Sequence, residues 1–321
     1  MRKIIKTLLG IGGAFCLIGA LLFSIGFTSG GTKYVHATNL NSMNAQEDNK
    51  ESANRFTLKK TEIPDFTSLN INLEDSDLNI EESPNEKSYI EYAQATKDKK
   101  NPVSYSIENG TLTLKEAGNT GASYYINVDI SFLQAALSSK NIEDYTKESS
   151  KYENYVTLYL PKDKLVSSAK IYLGYGDFYV KNATFDTTNI KLDDGDFDAN
   201  TLTANSGKLT FSYGDCDLQK ASLGNISLTS KDGDLTVNEL TLSGKTKIAL
   251  SYGDAEITLN DSTKKVSGFD LATHYGTITA SGLNGNKTVD EDDDVNTFQS
   301  DSKDGKTKLA IDSKDGDITV K

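Results

Sequence analysis

Residues 171–180 read IYLGYGDFYV, and the pattern returns as IKLDDGDFDA at 190–199, LTFSYGDCDL at 209–218, LTSKDGDLTV at 228–237 and IALSYGDAEI at 248–257. Its landmark is a glycine, found at Gly176, Gly195, Gly214, Gly233, Gly253, Gly276 and Gly316, at intervals of 19, 19, 19, 20, 23 and 40 residues. The positions five before, two after and four after each glycine are apolar. They are Ile171, Phe178 and Val180 in the first copy, Leu209, Cys216 and Leu218 in the third, and Ile311, Ile318 and Val320 in the last. A further apolar column, nine after the glycine, holds Phe185, Ala204, Leu223 and Leu242. Alternation on both sides of the glycine means short strands with one buried face, joined at a tight bend. Such a unit cannot bury its apolar face alone, so neighbours must stack into a continuous core. The repeat therefore predicts an all-β fold, a β-solenoid of stacked strand-turn-strand units of about 19 residues. Stacked hairpins in a long meandering sheet are the alternative.

An outlying copy lies at LNINLEDSDLNI, 69–80. With Ser76 in the glycine's place, Ile71, Leu78 and Ile80 fall on the three apolar positions, so the repeat domain spans residues 56–321. Ile107–Leu114 reads as a hairpin on the Asn109-Gly110 turn. Two stretches depart from the plain repeat: 118–150, in which 132–150 is expected as the only helix of the extracellular part, or a loop, and 281–307, an acidic insertion carrying Asp290, Glu291, Asp292, Asp293 and Asp294.

Composition agrees with strands and turns: Trp is absent, Pro numbers 4, and Tyr outnumbers Phe by 16 to 12. The formal charge is −12, and three of the cations, Arg2, Lys3 and Lys6, stand at the extreme N-terminus. So acidic a body repels polyanions, which excludes nucleic acid as a partner and leaves cations, basic peptides or neutral glycans. Cys16 and Cys216 are the two cysteines. Cys16 lies in an apolar segment and Cys216 in a core column, so a disulfide between them is not expected.

Residues 8–27, LLGIGGAFCLIGALLFSIGF, form a 20-residue run without a charge. At helical rise this is about 30 Å, the thickness of a bilayer core. The basic residues 1–7 stay in the cytoplasm by the positive-inside rule, which places the rest outside as a single-pass membrane protein. Cleavage near Ala37, after Val35-His36, and secretion of the remainder is the alternative. Residues 28–55, rich in Gly, Ser, Asn and Gln, read as a flexible tether.

Two sets of side chains flank the bend glycines. Asp177, Asp196, Asp215, Asp234 and Asp254 follow them and would form a column about 4.8 Å apart if the units stack in register. Like charges so close repel, so each carboxylate either accepts turn N–H bonds or shares a cation, calcium being the candidate. No other cofactor is implied. Before the glycines, Tyr175, Asp194, Tyr213, Asp232 and Tyr252 alternate, which reads as charge relief or as a ladder that grips sugar rings or a cationic polymer, since tyrosine offers a flat apolar face with a polar tip. Cys216 is expected in the core rather than as a nucleophile. His36 and His274 are the two histidines, too few and too isolated to suggest a catalytic set.

The stretch Tyr155–Pro161, then Leu165 and Ala169–Val180, followed by the serial Gly-Asp repeats, resembles the bacterial putative-adhesin family of β-strand-repeat proteins of unknown function. The resemblance covers roughly residues 56–321. It implies an envelope-associated protein such as Gram-positive bacteria encode, sometimes beside envelope-stress regulators, and it brings no catalytic residue to carry over. The expected function is a non-enzymatic, membrane-anchored adhesin or envelope-binding module, with a cell-wall glycan or a surface protein as partner. The alternatives are a carbohydrate-active solenoid enzyme with paired Asp residues and an envelope-stress regulatory partner.

Overall fold

The alternation dictates strands, and the pairing shows how they assemble. In the computed structural model, which describes residues 55–96, 101–117, 154–290 and 294–321, the long strand Phe197–Phe211 buries Phe197, Ala199, Leu202, Ala204, Leu209 and Phe211. It runs parallel to Cys216–Asp232 with Phe197 opposite Cys216 and Leu209 opposite Leu228, a register of one repeat. Each arm of a bend thus pairs with the same arm of the next unit and never with its own partner arm. This selects the solenoid over the chain of hairpins, and it places equivalent residues in straight columns. Phe178 and Phe197 stack in one such column with ring centroids 5.0 Å apart.

Stacking does not follow chain order at either end. The Ser76 unit lies directly on the Gly176 unit, with Ile71 opposite Ile171, Leu78 opposite Phe178 and Ile80 opposite Val180. Ser76 therefore occupies the glycine's place. At the other end the Gly316 unit slots between those of Gly253 and Gly276. Ile311 faces Ile248 on one side and Leu271 on the other, and Ile318 faces Ala255 and Ile278. Along the stack the bends run Ser76, Gly176, Gly195, Gly214, Gly233, Gly253, Gly316, Gly276.

Further strands close both ends, parallel to the stack where they first meet it at one end and antiparallel beyond, and blunt the open edges. At the first, Thr111–Glu116 covers Ser68–Leu73 and turns back into Val103–Glu108 through Asn109 and Gly110, whose φ values are 51° and 73°. Tyr155–Leu160, Ser88–Ala95 and Arg55–Ile63 continue the other column. The buried Glu116 stands in for a missing unit, accepting the N–H groups of Glu74 and Asp75 at 2.8 and 3.0 Å. Burial pushes its carboxyl pKa up. At the far end, the stretch expected as an acidic insertion forms two antiparallel strands, Asn286–Asp290 and Val295–Ser300, the latter paired with Gly268–Thr273. Lys287 and Asn296 donate to the carbonyls of Ile278 and Gly276 at 2.8 and 2.7 Å, satisfying a strand edge that pairs with no further strand among the described residues.

Asp261–Val266 forms a short helix capped by Asn260, whose Oδ1 accepts the Thr263 N–H at 2.8 Å. Cys216 is buried in its core column, and burial pushes its thiol pKa up. The expected anchor at 8–27, the tether up to residue 54 and the 118–150 departure, with its helix or loop, lie outside the described residues. Among the described residues no helix is long and apolar enough to cross a membrane.

Candidate functional site

Every unit of the solenoid bends at one edge, and glycine makes that edge possible. A Cβ on Gly233 would stand 2.1 Å from the carbonyl oxygen of Gly214 in the unit below, and the Gly233 φ of 134° disfavours any side chain. Backbone therefore packs on backbone along this edge. Units can approach to strand spacing right through the turn, and the flanking side chains stand in register.

The Asp residues after the glycines form one continuous ladder. Asp77, Asp177, Asp196, Asp215, Asp234, Asp254 and Asp317 each accept, through Oδ1, a backbone N–H of the next unit in the stack at 2.7 to 2.9 Å. The donors are the N–H groups of the next Asp, and the last is that of Thr277. Sequence reasoning expected each carboxylate to cap turn N–H groups; the structure shows that the donor belongs to the neighbouring turn. A run of carboxylates one strand spacing apart is tolerable because each is bound to a backbone dipole. Among the described residues no three His, Cys, Asp or Glu side chains are grouped so as to hold a metal ion.

The residues before the glycines point outward beside this ladder. Tyr175, Tyr213, Tyr252 and Tyr275 are 64, 47, 58 and 69% exposed. Half of the large apolar side chains exposed among the described residues sit on this one edge. Asp75, Asp194, Asp232 and Asp315 are also exposed, and their carboxylates make no hydrogen bond or salt bridge among the described residues. Several tyrosines elsewhere are tied to neighbours instead. Tyr155 and Tyr159 donate to Glu91 at 3.3 and 3.2 Å, and Tyr92 donates to Asn101 at 2.9 Å. Burial and the Glu91 charge push the Tyr159 phenol up to about 12. Among the described residues, Tyr213 is the one tyrosine of the edge with a side-chain hydrogen bond: Lys231 Nζ donates to its hydroxyl at 2.9 Å and stands 4.9 Å from its ring centroid.

A shallow cleft opens on this edge between Tyr175 and Tyr213, lined also by Asp193, Asp194, Ser212 and Lys231. Its floor is fixed. Asp193 pairs with Lys191 at 2.6 Å and accepts the Tyr172 hydroxyl at 2.9 Å. The Lys191 bond holds the Asp193 carboxyl below its usual range, and the bond to Asp193 pushes the Tyr172 phenol up to about 12.

The structure thus brings Tyr175, Asp194, Tyr213, Asp232 and Tyr252 together on one edge and places the five expected Asp column residues beside them. Sequence reasoning missed Asp75, Tyr275 and Asp315 as members of the exposed row. Tyr275-Gly276 and Asp315-Gly316 were visible as dipeptides, but their place in the row depends on stacking order. The chemistry on offer is recognition: flat rings and unpaired carboxylates at fixed intervals.

The profile of the family described as Toastrack DUF4097 matches residues 66–321. Curated proteins give no match. Solved structures that resemble the chain include a protein called a putative cell adhesion protein from Clostridium sporogenes, at 13% identity and a TM-score of 0.35, covering 82% of this chain and 99% of that one. Another is called a putative adhesin, from Bacteroides fragilis, at 11% identity and a TM-score of 0.41, covering 84% and 98%. A protein from Parabacteroides distasonis, also called a putative adhesin, has 10% identity and a TM-score of 0.39, covering 84% and 98%.

Proposed function

The chain belongs to the Toastrack DUF4097 family, and from that premise we propose that it is a membrane-anchored, extracellular, non-enzymatic binding module that grips a component of the cell envelope through its bend edge. One observation carries the reading: Tyr175, Tyr213, Tyr252 and Tyr275 hold their rings 47 to 69% exposed in a single row. Folding alone gives no reason to present four rings to water, since each could be buried at a gain of apolar area or replaced by a polar residue. Aromatic faces with polar tips in a row are instead suited to polymer recognition. The anchor is the uncharged run 8–27 behind Arg2, Lys3 and Lys6, which directs the solenoid outward, and residues 28–55 give the edge reach.

Co-sedimentation with isolated Gram-positive wall material tests the reading. The wild-type chain is expected in the pellet. The Tyr213→Ser/Tyr252→Ser variant, whose thermal midpoint should stay within a few degrees, is expected in the supernatant. Equal retention of both would sink the proposal. Fractionation tests the anchor: the chain should partition with membranes, and external protease should remove the solenoid from intact cells.

A further inference from the structure

The out-of-order stacking of the last units completes a pattern that the sequence breaks. In chain order the residues before the last three bend glycines are Tyr252, Tyr275 and Asp315. Because the Gly316 unit lies between the other two, the row in space reads Asp75, Tyr175, Asp194, Tyr213, Asp232, Tyr252, Asp315, Tyr275. Carboxylate and phenol alternate over all eight rungs.

Charge relief does not explain this. In the adjacent column seven Asp residues stand on successive rungs with no neutral spacer, held by backbone N–H groups. Where spacers are needed, serine or threonine would separate the charges without exposing a ring. The row therefore has two properties that stability does not require: unpaired carboxylates and exposed aromatic rings, each recurring every second unit. With strands about 4.8 Å apart, that recurrence is about 9.6 Å.

We propose that the row binds an extended β-1,4-linked glycan bearing free amino groups, one disaccharide for every two units. This deepens the binding-module reading and rests on it. A disaccharide of an extended β-1,4-linked chain matches the recurrence, so one sugar face meets each tyrosine and one ammonium group meets each of Asp75, Asp194, Asp232 and Asp315. A basic peptide in β conformation fits less well, because its same-face side chains recur about every 6.6–6.8 Å and slip out of step within a few rungs. One in polyproline II conformation recurs about every 9.3 Å, but its ammonium groups ride on flexible stems and it brings no flat face to the rings, and hexalysine puts it to the test. The edge already holds one ammonium group, that of Lys231 against the Tyr213 ring, which shows that the row accommodates a cation.

Calorimetric titration of the full chain in detergent micelles tests this with three probes: the β-1,4-linked glucosamine hexamer, its fully N-acetylated counterpart and hexalysine. The amino hexamer should bind at least tenfold more tightly than the acetylated one, with an affinity that falls as salt rises. Asp194→Asn/Asp232→Asn, which leaves Asp75 and Asp315 in place, should cut that preference severalfold while leaving affinity for the acetylated hexamer unchanged; Tyr213→Ser/Tyr252→Ser should weaken both by tenfold or more. Equal binding of the two hexamers overturns the amine assignment, and hexalysine binding as tightly as the amino hexamer overturns the glycan. Failure of both hexamers with wall retention intact overturns this inference and leaves the binding module standing, whereas loss of wall retention as well removes both. Since Asp194 and Asp232 are exposed and unbonded, unchanged circular dichroism of the carboxamide variant confirms that any loss is a loss of contact.

Discussion

Replacing Gly233 by alanine tests whether backbone packs on backbone at the bend edge. The new Cβ would lie 2.1 Å from Gly214 O, and the residue would keep a φ of 134°. A side chain at a φ of 134°, beyond the left-handed α region, costs about 1–3 kcal/mol, and forcing two packed backbones apart adds about 1–3 kcal/mol of overpacking. Relief of the clash would also stretch the bonds from Gly214 N–H to Asp232 O, at 3.2 Å, and from Asp234 N–H to Asp215 Oδ1, at 2.8 Å. The expected loss is about 3–5 kcal/mol. Gly282 is the control: its φ of 71° is also positive, but a Cβ there meets nothing within 4 Å. Gly282→Ala should cost only the backbone part, about 1–2 kcal/mol. Urea unfolding of residues 53–321 followed by far-ultraviolet circular dichroism should place the Gly233→Ala midpoint on the order of 1 M below that of Gly282→Ala. Coincident midpoints would refute the close-stacking argument.

Three further outcomes follow from the same geometry. Asp215→Ala removes the acceptor for the Asp234 N–H and should cost about 1 kcal/mol, whereas Asp215→Asn keeps an oxygen in place and should cost less, as read from urea midpoints. The Cys216 thiol, buried and pushed up in pKa, should resist alkylation at pH 8 in the folded Cys16→Ser chain and react fully in urea; rapid labelling of the folded protein would place it outside the core. Asp304 accepts from Ser302 and Thr307 hydroxyls and from the Lys306 and Thr307 N–H groups, which hold its carboxyl well below the usual range. Its folded pKa is therefore the lower one, so its contribution is present above the unfolded carboxylate value, about 3.9, and is lost as pH falls below that value. Between pH 5 and 3 the wild-type midpoint should fall further than that of Asp304→Ala, and parallel curves would contradict the assignment.

How much of this was legible depends on what each feature rests on. The repeat, the bend glycines and the core columns are periodic, so Ile171, Phe178 and their equivalents declare themselves. Even the Ser76 unit is readable through Ile71, Leu78 and Ile80. Stacking order is not, because the units of Gly276 and Gly316 offer interchangeable apolar faces, Leu271 with Ile278 and Ile311 with Ile318. Only three-dimensional packing chooses which one adjoins Gly253. The strand Asn286–Asp290 is exposed along its whole length, so it has no buried face to leave a period of two, and its charge read as an insertion. Asp261–Val266 has 6 residues, too few to show a helical period, and Asn260 was its sole signal. For the candidate site, five of the eight row residues could be read in order; Asp75, Tyr275 and Asp315 joined them only through contacts between distant parts of the chain.

The measurement that bears most directly on the binding edge is fluorine magnetic resonance of the fluorotyrosine-labelled chain, titrated with solubilised wall glycan. The 16 tyrosines give internal controls. Resonances assigned by substitution to Tyr175, Tyr213, Tyr252 and Tyr275 should shift together on binding, while buried Tyr92 and the Glu91-bound Tyr155 and Tyr159 stay still. Binding that moves other tyrosines and leaves those four unchanged would contradict the account.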